Sequence, residues 1–369
     1  METIIMIIGI IGWICLFVSL YLYKRLKKEK YKLLKSSVEE NKGPKVVVIG
    51  GGTGQSIFLR GLKQYTQNIT AVVTVADDGG GSGVLREDLG MLPPGDIRNC
   101  LLALANIEPT MNEVMQYRFT EGNLKGQSFG NLFIAAMNGL YGNFETAVYK
   151  MSEIFAITGR VLPVTLQNVN LTAKLKNGSV VKGESRIPIE VKSQKSGIEK
   201  ITLDPLDVTP LEEVITSINN ADIIVMGPGS LYTSIIPNLL VKDVVKAIKK
   251  SSAPKVYISN VMTQPGETGG YNVLDHINAI FKHTGKNLID YVIVNNEILP
   301  DDIFKKYKKD GAEQVLLDEN QIKQLDEMSI KIIEDNLVEV KKNYIRHDAN
   351  HIANIIVDLA LSHNYDNDK

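Results

Sequence analysis

Apolar residues come along this chain in short unbroken runs rather than in alternation with polar ones. Val46–Ile49, Ile69–Val75 and Ala221–Met226 are continuous and rich in β-branched side chains. A strand covered on both faces has no polar side to show, so each run predicts a buried strand of a parallel sheet. Lys255–Ser259 and Asp290–Val294 extend the series, and Val315–Leu317 reads as a last short strand. Between the runs, Ser56–Gln64, Ile97–Ala105 and Leu132–Leu140 read as helices, and an amphipathic one follows near His351–Leu361. Strand and helix in alternation predict an α/β fold, with a mostly parallel sheet and helices on both faces.

Residues 161–203 follow a different pattern. Val164–Leu175 and Val180–Glu184 read as strands about an Asn177-Gly178 turn, and Ile187–Val191 and Ile198–Leu203 flank Lys195-Ser196-Gly197. Such turns join antiparallel strands. The segment is therefore expected to be an antiparallel β insertion carried by the main domain.

Ile4–Tyr23 has no charged residue. A bilayer core takes about 20 apolar residues of helix, so this stretch predicts a transmembrane helix. Residues 24–35 behind it hold seven Lys or Arg against one Glu. Basic flanks stay in the cytoplasm, which puts the N-terminus outside and a membrane-anchored body inside. A cleaved signal peptide would carry its charge ahead of the apolar run, and no small-residue cleavage site follows. The expected organisation is an anchor at 1–23, a basic juxtamembrane linker at 24–44 that contacts anionic lipid, and an α/β domain at 45–369.

The chain carries a net charge of −1, and its basic excess lies in the linker. No long basic run marks the body, so nucleic acid is not an expected partner. Cys15 and Cys100 are too few for a disulfide framework.

The stretches that carry chemistry are glycine-rich and sit where predicted strands end. Gly50-Gly51-Gly52-Thr53-Gly54 joins the first strand to the first helix. Bare glycines let main-chain N–H groups approach a phosphate, and the helix N-terminus adds partial positive charge. Thr53 adds a hydroxyl. No Gly-Lys-Ser/Thr closes the loop, and Gln55 stands where a dinucleotide fingerprint has its third glycine, which disfavours a dehydrogenase. Ile69–Val75 runs into Asp77-Asp78-Gly79-Gly80-Gly81-Ser82-Gly83. Asp77 and Asp78 there can meet a ribose hydroxyl or hold Mg²⁺, or can simply form a turn.

In Pro93-Pro94-Gly95-Asp96-Ile97-Arg98-Asn99, Asp96 is expected to cap a helix. Arg98 in its first turn can clamp a phosphate or pair with a surface acid. Asn131, in Ser128-Phe129-Gly130-Asn131, offers a donor and an acceptor to a base or sugar, or serves as a cap. Gly227-Pro228-Gly229-Ser230-Leu231-Tyr232-Thr233-Ser234 repeats the strand–glycine–helix arrangement, and Gly229, Ser230, Thr233 and Ser234 can hold a second anionic group. His276 and His283 could share a helix face, but no carboxylate stands at ligand spacing and zinc is not expected.

Taken in order, these motifs and Met262-Thr263-Gln264-Pro265-Gly266-Glu267-Thr268 resemble the YvcK-type gluconeogenesis factor family, grouped with the 2-phospho-L-lactate transferases (CofD). The resemblance spans Lys45 to about Ala360. It implies a Rossmann-like fold, binding of UDP-sugars (UDP-N-acetylglucosamine in particular), and a role in cell shape and envelope synthesis during gluconeogenic growth. Carried over by position, it implies Thr53 in the phosphate loop, Asp77 and Asp78 in the acidic loop and Asn131 after Phe-Gly; with the loop readings above, the candidate ligand-binding residues are Gly51, Gly52, Thr53, Gly54, Asp77, Asp78, Arg98, Asn131, Gly229, Ser230, Thr233 and Ser234. Tyr307 and Arg346 match the family's late aromatic and Arg-His-Asp positions; a tyrosine can stack on uracil and an arginine can clamp a diphosphate. Gln127 stands where relatives are expected to carry histidine.

Phosphate cradles without an evident nucleophile or general base favour a regulatory binding protein. Such a protein needs no cofactor, answers to cell-wall synthesis proteins and is compatible with a homo-oligomer. The competing expectation is an Mg²⁺-dependent phospho-ester transferase with the metal on Asp77 and Asp78.

Overall fold

The computed structural model describes residues 43–341 and 344–367. Its strands are β1 (Val46–Gly50), β2 (Ile69–Val73), β3 (Arg160–Pro163), β4 (Asn170–Leu175), β5 (Val180–Lys182), β6 (Ile198–Asp204), β7 (Ile223–Met226), β8 (Lys255–Ile258), β9 (Tyr291–Asn295), β10 (Lys331–Asp335), β11 (Val338–Lys341) and β12 (Tyr344–His347). The helices are α1 (Gly52–Leu62), α2 (Gly80–Leu89), α3 (Gly95–Leu104), α4 (Pro109–Gln116), α5 (Phe129–Tyr141), α6 (Phe144–Ile154), α7 (Ile187–Ser193), α8 (Glu212–Asn219), α9 (Ile236–Leu239), α10 (Val244–Lys250), α11 (Val273–Thr284), α12 (Asp301–Lys309), α13 (Glu319–Glu327) and α14 (Ala349–Asn367).

Seven strands form one sheet in the order β10-β9-β8-β7-β1-β2-β3. Every pairing in it is parallel. β1, β2 and β7 are buried along their whole length, which their unbroken apolar runs require. The chain leaves β1 toward β2 on one side and returns to β7 on the other. Right-handed crossovers therefore send helices to opposite faces. The carboxyl ends of β1 and β7 meet where that order reverses, and open α/β sheets bind ligands at such a point.

β4, β5 and β6 make a separate antiparallel sheet. It is tied back to the body by Arg86 of α2, whose guanidinium donates to Val169 O and to Asn170 Oδ1. His283 of α11 adds a second tie, its Nε2 accepting the Ile201 N–H at 2.9 Å. Because His283 Nδ1 bonds Ala279 O, the ring is neutral with the proton on Nδ1. β11 and β12 form a hairpin that leads into α14.

Several expectations are corrected. The fold class joined a transmembrane helix to the α/β body. Residues 4–23 lie outside the described residues, and among those described no helix is long and apolar enough to cross a membrane. Ile187–Val191 is not a strand but most of α7, opened by Pro188 at a first-turn position that suits proline. Val315–Leu317 forms no strand; the sheet closes instead with Lys331–Asp335. Asp96 is not a cap, because α3 already starts at Gly95.

Helices α3 and α14 both pack on α1. The contact between α1 and the start of α14 has no room for a side chain at Gly61, where a Cβ would lie 2.4 Å from Ala349 O. Gly61→Ala is expected to push α14 off α1 and cost about 1–3 kcal/mol of stability, read as a lower urea midpoint. An unchanged midpoint would mean the two helices are not held this closely.

Candidate functional site

The two predicted phosphate loops touch. A Cβ at Gly54 would sit 2.7 Å from Pro228 O, and one at Gly229 would sit 3.3 Å from Gly51 O. Only main chain without side chains allows that approach. Asn238 locks the pair from below, its amide donating to Gly50 O at 2.8 Å and to Ser234 O at 2.7 Å. After β7 the chain enters a π-helical turn, Leu231–Ile235, before α9. This turn places Ser234 against Gly51, within 3.4 Å of a Cβ built there. Ser230 and Thr233 are engaged elsewhere, Ser230 with Gln264 Oε1 at 2.8 Å and Thr233 with Glu267 Oε1 at 3.2 Å.

The inner side of the first loop is acidic. Asp96 Oδ2 lies 2.7 Å from a Cβ built on Gly51, and its carboxyl accepts the Gly52 N–H. An internal carboxylate thus takes the leading amide of the cradle. Removal from water and the charge of Asp77 raise the Asp96 pKa to about 6. Asp77 accepts the Gly79 N–H at 2.9 Å, and Asp78 accepts the Ser185 N–H at 2.8 Å from the insertion. Glu184 bonds Asp77, and burial beside Asp77 and Asp96 pushes its pKa up to about 9. Glu267, buried, is raised to about 7. Glu184 therefore keeps its proton near neutrality.

Asp77 and Asp78, expected to hold Mg²⁺, each accept a main-chain N–H, from Gly79 and from Ser185 of the insertion. Among the described residues no group of three or more His, Cys, Asp or Glu side chains is gathered to hold a metal.

Arg98 and Asn131 meet each other rather than an open cleft. Arg98 Nη1 donates to Asn131 Oδ1 at 2.8 Å and to Ser128 Oγ, and Nη2 donates to Asn99 Oδ1 at 2.9 Å. No surface acid is its partner. Its Nε and the Oε1 of neighbouring Gln127 are buried without a partner.

The outer side of the loop is different. Thr53, Gly54 and Ile57 of α1 face Ile345, Arg346 and His347 across a cavity of about 260 Å³. Arg346 is exposed. Tyr307 meets the same hairpin, its Oη accepting the Ile345 N–H at 2.8 Å, so it holds the strand that carries Arg346. Residues that the sequence did not single out are Glu184 and the inward role of Asp96. Glu184 gave no local signal, because its partner Asp77 follows β2, in another part of the chain.

Glu184 carries a pH signature. A raised carboxyl stabilises the fold fully below its unfolded value of 4.5, and that stability is lost as pH rises toward about 9. The melting temperature is expected to fall between those limits. Glu184→Gln should flatten the fall and raise Tm at pH 8 by roughly 2–4 °C. Parallel curves for the two proteins would show that Glu184 is not buried against Asp77.

Comparison with known proteins adds the relationship. The profile of the 2-phospho-L-lactate transferase CofD family matches residues 46–338. The gluconeogenesis factor of Bacillus subtilis is 47% identical over 317 residues, covering 86% of this chain and 98% of that protein. The gluconeogenesis factor of Listeria monocytogenes is 40% identical over 327 residues, covering 88% and 98%. A crystal structure of a Bacillus halodurans protein superposes with a TM-score of 0.82 at 44% identity, over 86% of this chain and 100% of that one.

Proposed function

The chain belongs to the 2-phospho-L-lactate transferase CofD family, among its gluconeogenesis factors, and from that premise we propose that it binds UDP-sugars, UDP-N-acetylglucosamine in particular. Binding would regulate envelope synthesis and cell shape during growth on gluconeogenic carbon, through contacts with cell-wall synthesis proteins. The observation that carries this reading is the outer cavity. It opposes the first turn of α1, at Thr53 and Gly54, to the exposed guanidinium of Arg346. Amides at a helix start and a guanidinium together are what a diphosphate needs.

A bound sugar nucleotide would bridge α1 and the β11–β12 hairpin, and tightening that contact is a change a partner can read.

Calorimetry with UDP-N-acetylglucosamine tests the reading. Wild-type protein is expected to bind, and Arg346→Ala to lose about tenfold or more in affinity, the worth of a charge-assisted contact. No heat at millimolar ligand from folded protein would overturn it. A second reading, group transfer, draws on the family's transferase description and on the protonated carboxyl at the Asp77–Glu184 pair. It requires turnover of a nucleotide-linked donor that is lost in Asp78→Ala.

A further inference from the structure

The cavity at Thr53 does not end at Arg346. A second one, of about 730 Å³, shares Ile57, Arg346 and His347 with it and continues along α1 past Arg60, Gly61 and Gln64 to the start of α14. Thr53, Ile57, Arg60 and Gln64 recur at helical spacing, so one face of α1 and its C-terminal end floor both cavities.

The side chains around this second cavity divide into two sets. His347 is engaged with Ser259 O, His351 with Asp335, and Asp348 receives the His351 N–H. Arg60, Gln64, Arg346 and Asn350 have no side-chain partner among the described residues. Two guanidiniums thus face one cleft, which Glu339, opposite Arg346 in the hairpin, and Asp348 also line.

The opposite side of the same loop repels anions. Asp96 already occupies the Gly52 N–H, and Asp77, Glu184 and Glu267 lie beyond it. A phosphate pressed inward would have to displace Asp96 from the Gly52 N–H and crowd a buried set of carboxyls. Among the described residues, the outward approach along α1 offers the guanidiniums of Arg60 and Arg346. Arg60 stands two helical turns after Thr53, and side chains on a helix lean toward its N-terminus, which brings the guanidinium back toward the cradle.

We propose that Arg60 is a second phosphate-binding residue: the phosphates of the ligand lie on the outer face of α1, between Arg346 and Arg60, and not across both glycine loops. The ligand class is a diphosphate or its ester. This inference deepens the UDP-sugar reading and rests on it for the identity of the ligand, but not for the location of the phosphates.

The experiment is calorimetry on the full chain with UDP-N-acetylglucosamine, UDP and inorganic pyrophosphate. It compares wild type, Arg60→Ala, Arg60→Lys and Lys246→Ala, each checked by thermal melt. Lys246 lies exposed on α10, away from the cleft, and its loss controls for net charge. Arg60→Ala is expected to weaken all three ligands about tenfold. Arg60→Lys should recover part of the loss, and Lys246→Ala should bind as wild type does. Raising the salt should shrink the difference. If Arg60→Ala binds UDP-N-acetylglucosamine as wild type does, the second phosphate contact is overturned while the UDP-sugar reading stands. If pyrophosphate binds in an Arg60-dependent way and the sugar nucleotide does not bind, the contact stands and the UDP-sugar reading falls. If neither ligand binds, both fall.

Discussion

The molecule depends on the near-contact of two main-chain turns. Gly54 faces Pro228 O at a distance that no side chain could share, and Gly229 faces Gly51 O with little room to spare. Those turns end β1 and β7, the adjacent central strands whose connections leave in opposite directions. Widening that contact by one methyl group would move α1 away from the π-helical turn at 231–235. It would also break the double hydrogen bond from Asn238. Both the sheet's reversal point and the candidate site hang on this one spacing.

Charge is sorted about the same point. Inward, toward the insertion, carboxyls gather and compensate by holding protons and accepting main-chain N–H groups. Outward, toward the β11–β12 hairpin, Arg60 and Arg346 line the cleft together with Glu339 and Asp348. Sorting of this kind gives a bound ligand a direction as well as a place. It also explains why the insertion can fold down over Asp77 and Asp78, since its tip delivers an amide and a protonated carboxyl rather than a second full charge.

How far the sequence disclosed this is clear from particular residues. The unbroken runs at Val46–Ile49 and Ala221–Met226 marked buried parallel strands, because burial on both faces leaves no other composition. The glycines of both loops were visible for the same kind of reason: close approach excludes side chains. Arg98 and Asp96 were legible only as types. Whether an arginine faces a ligand or a buried serine and asparagine is decided by tertiary packing, which local spacing does not encode. Ile187–Val191 misled because a short β-branched run is ambiguous between strand and helix, and the proline within it settled the outcome. Glu184 was silent because its partner, Asp77, is more than a hundred positions away in the chain.

Gln55 has the longest reach of the remaining features. It is fully enclosed, and its amide donates to Val48 O at 2.9 Å and to Val72 O at 3.2 Å, while its oxygen receives the Cys100 thiol at 3.5 Å. Where dinucleotide-binding folds let a helix settle onto bare sheet, a spacer here stands between them and satisfies carbonyls on two neighbouring strands at once. Trimming it to glycine would leave a void and two carbonyl oxygens without their donor. One enclosed amide thereby ties the first helix to the two strands beneath it.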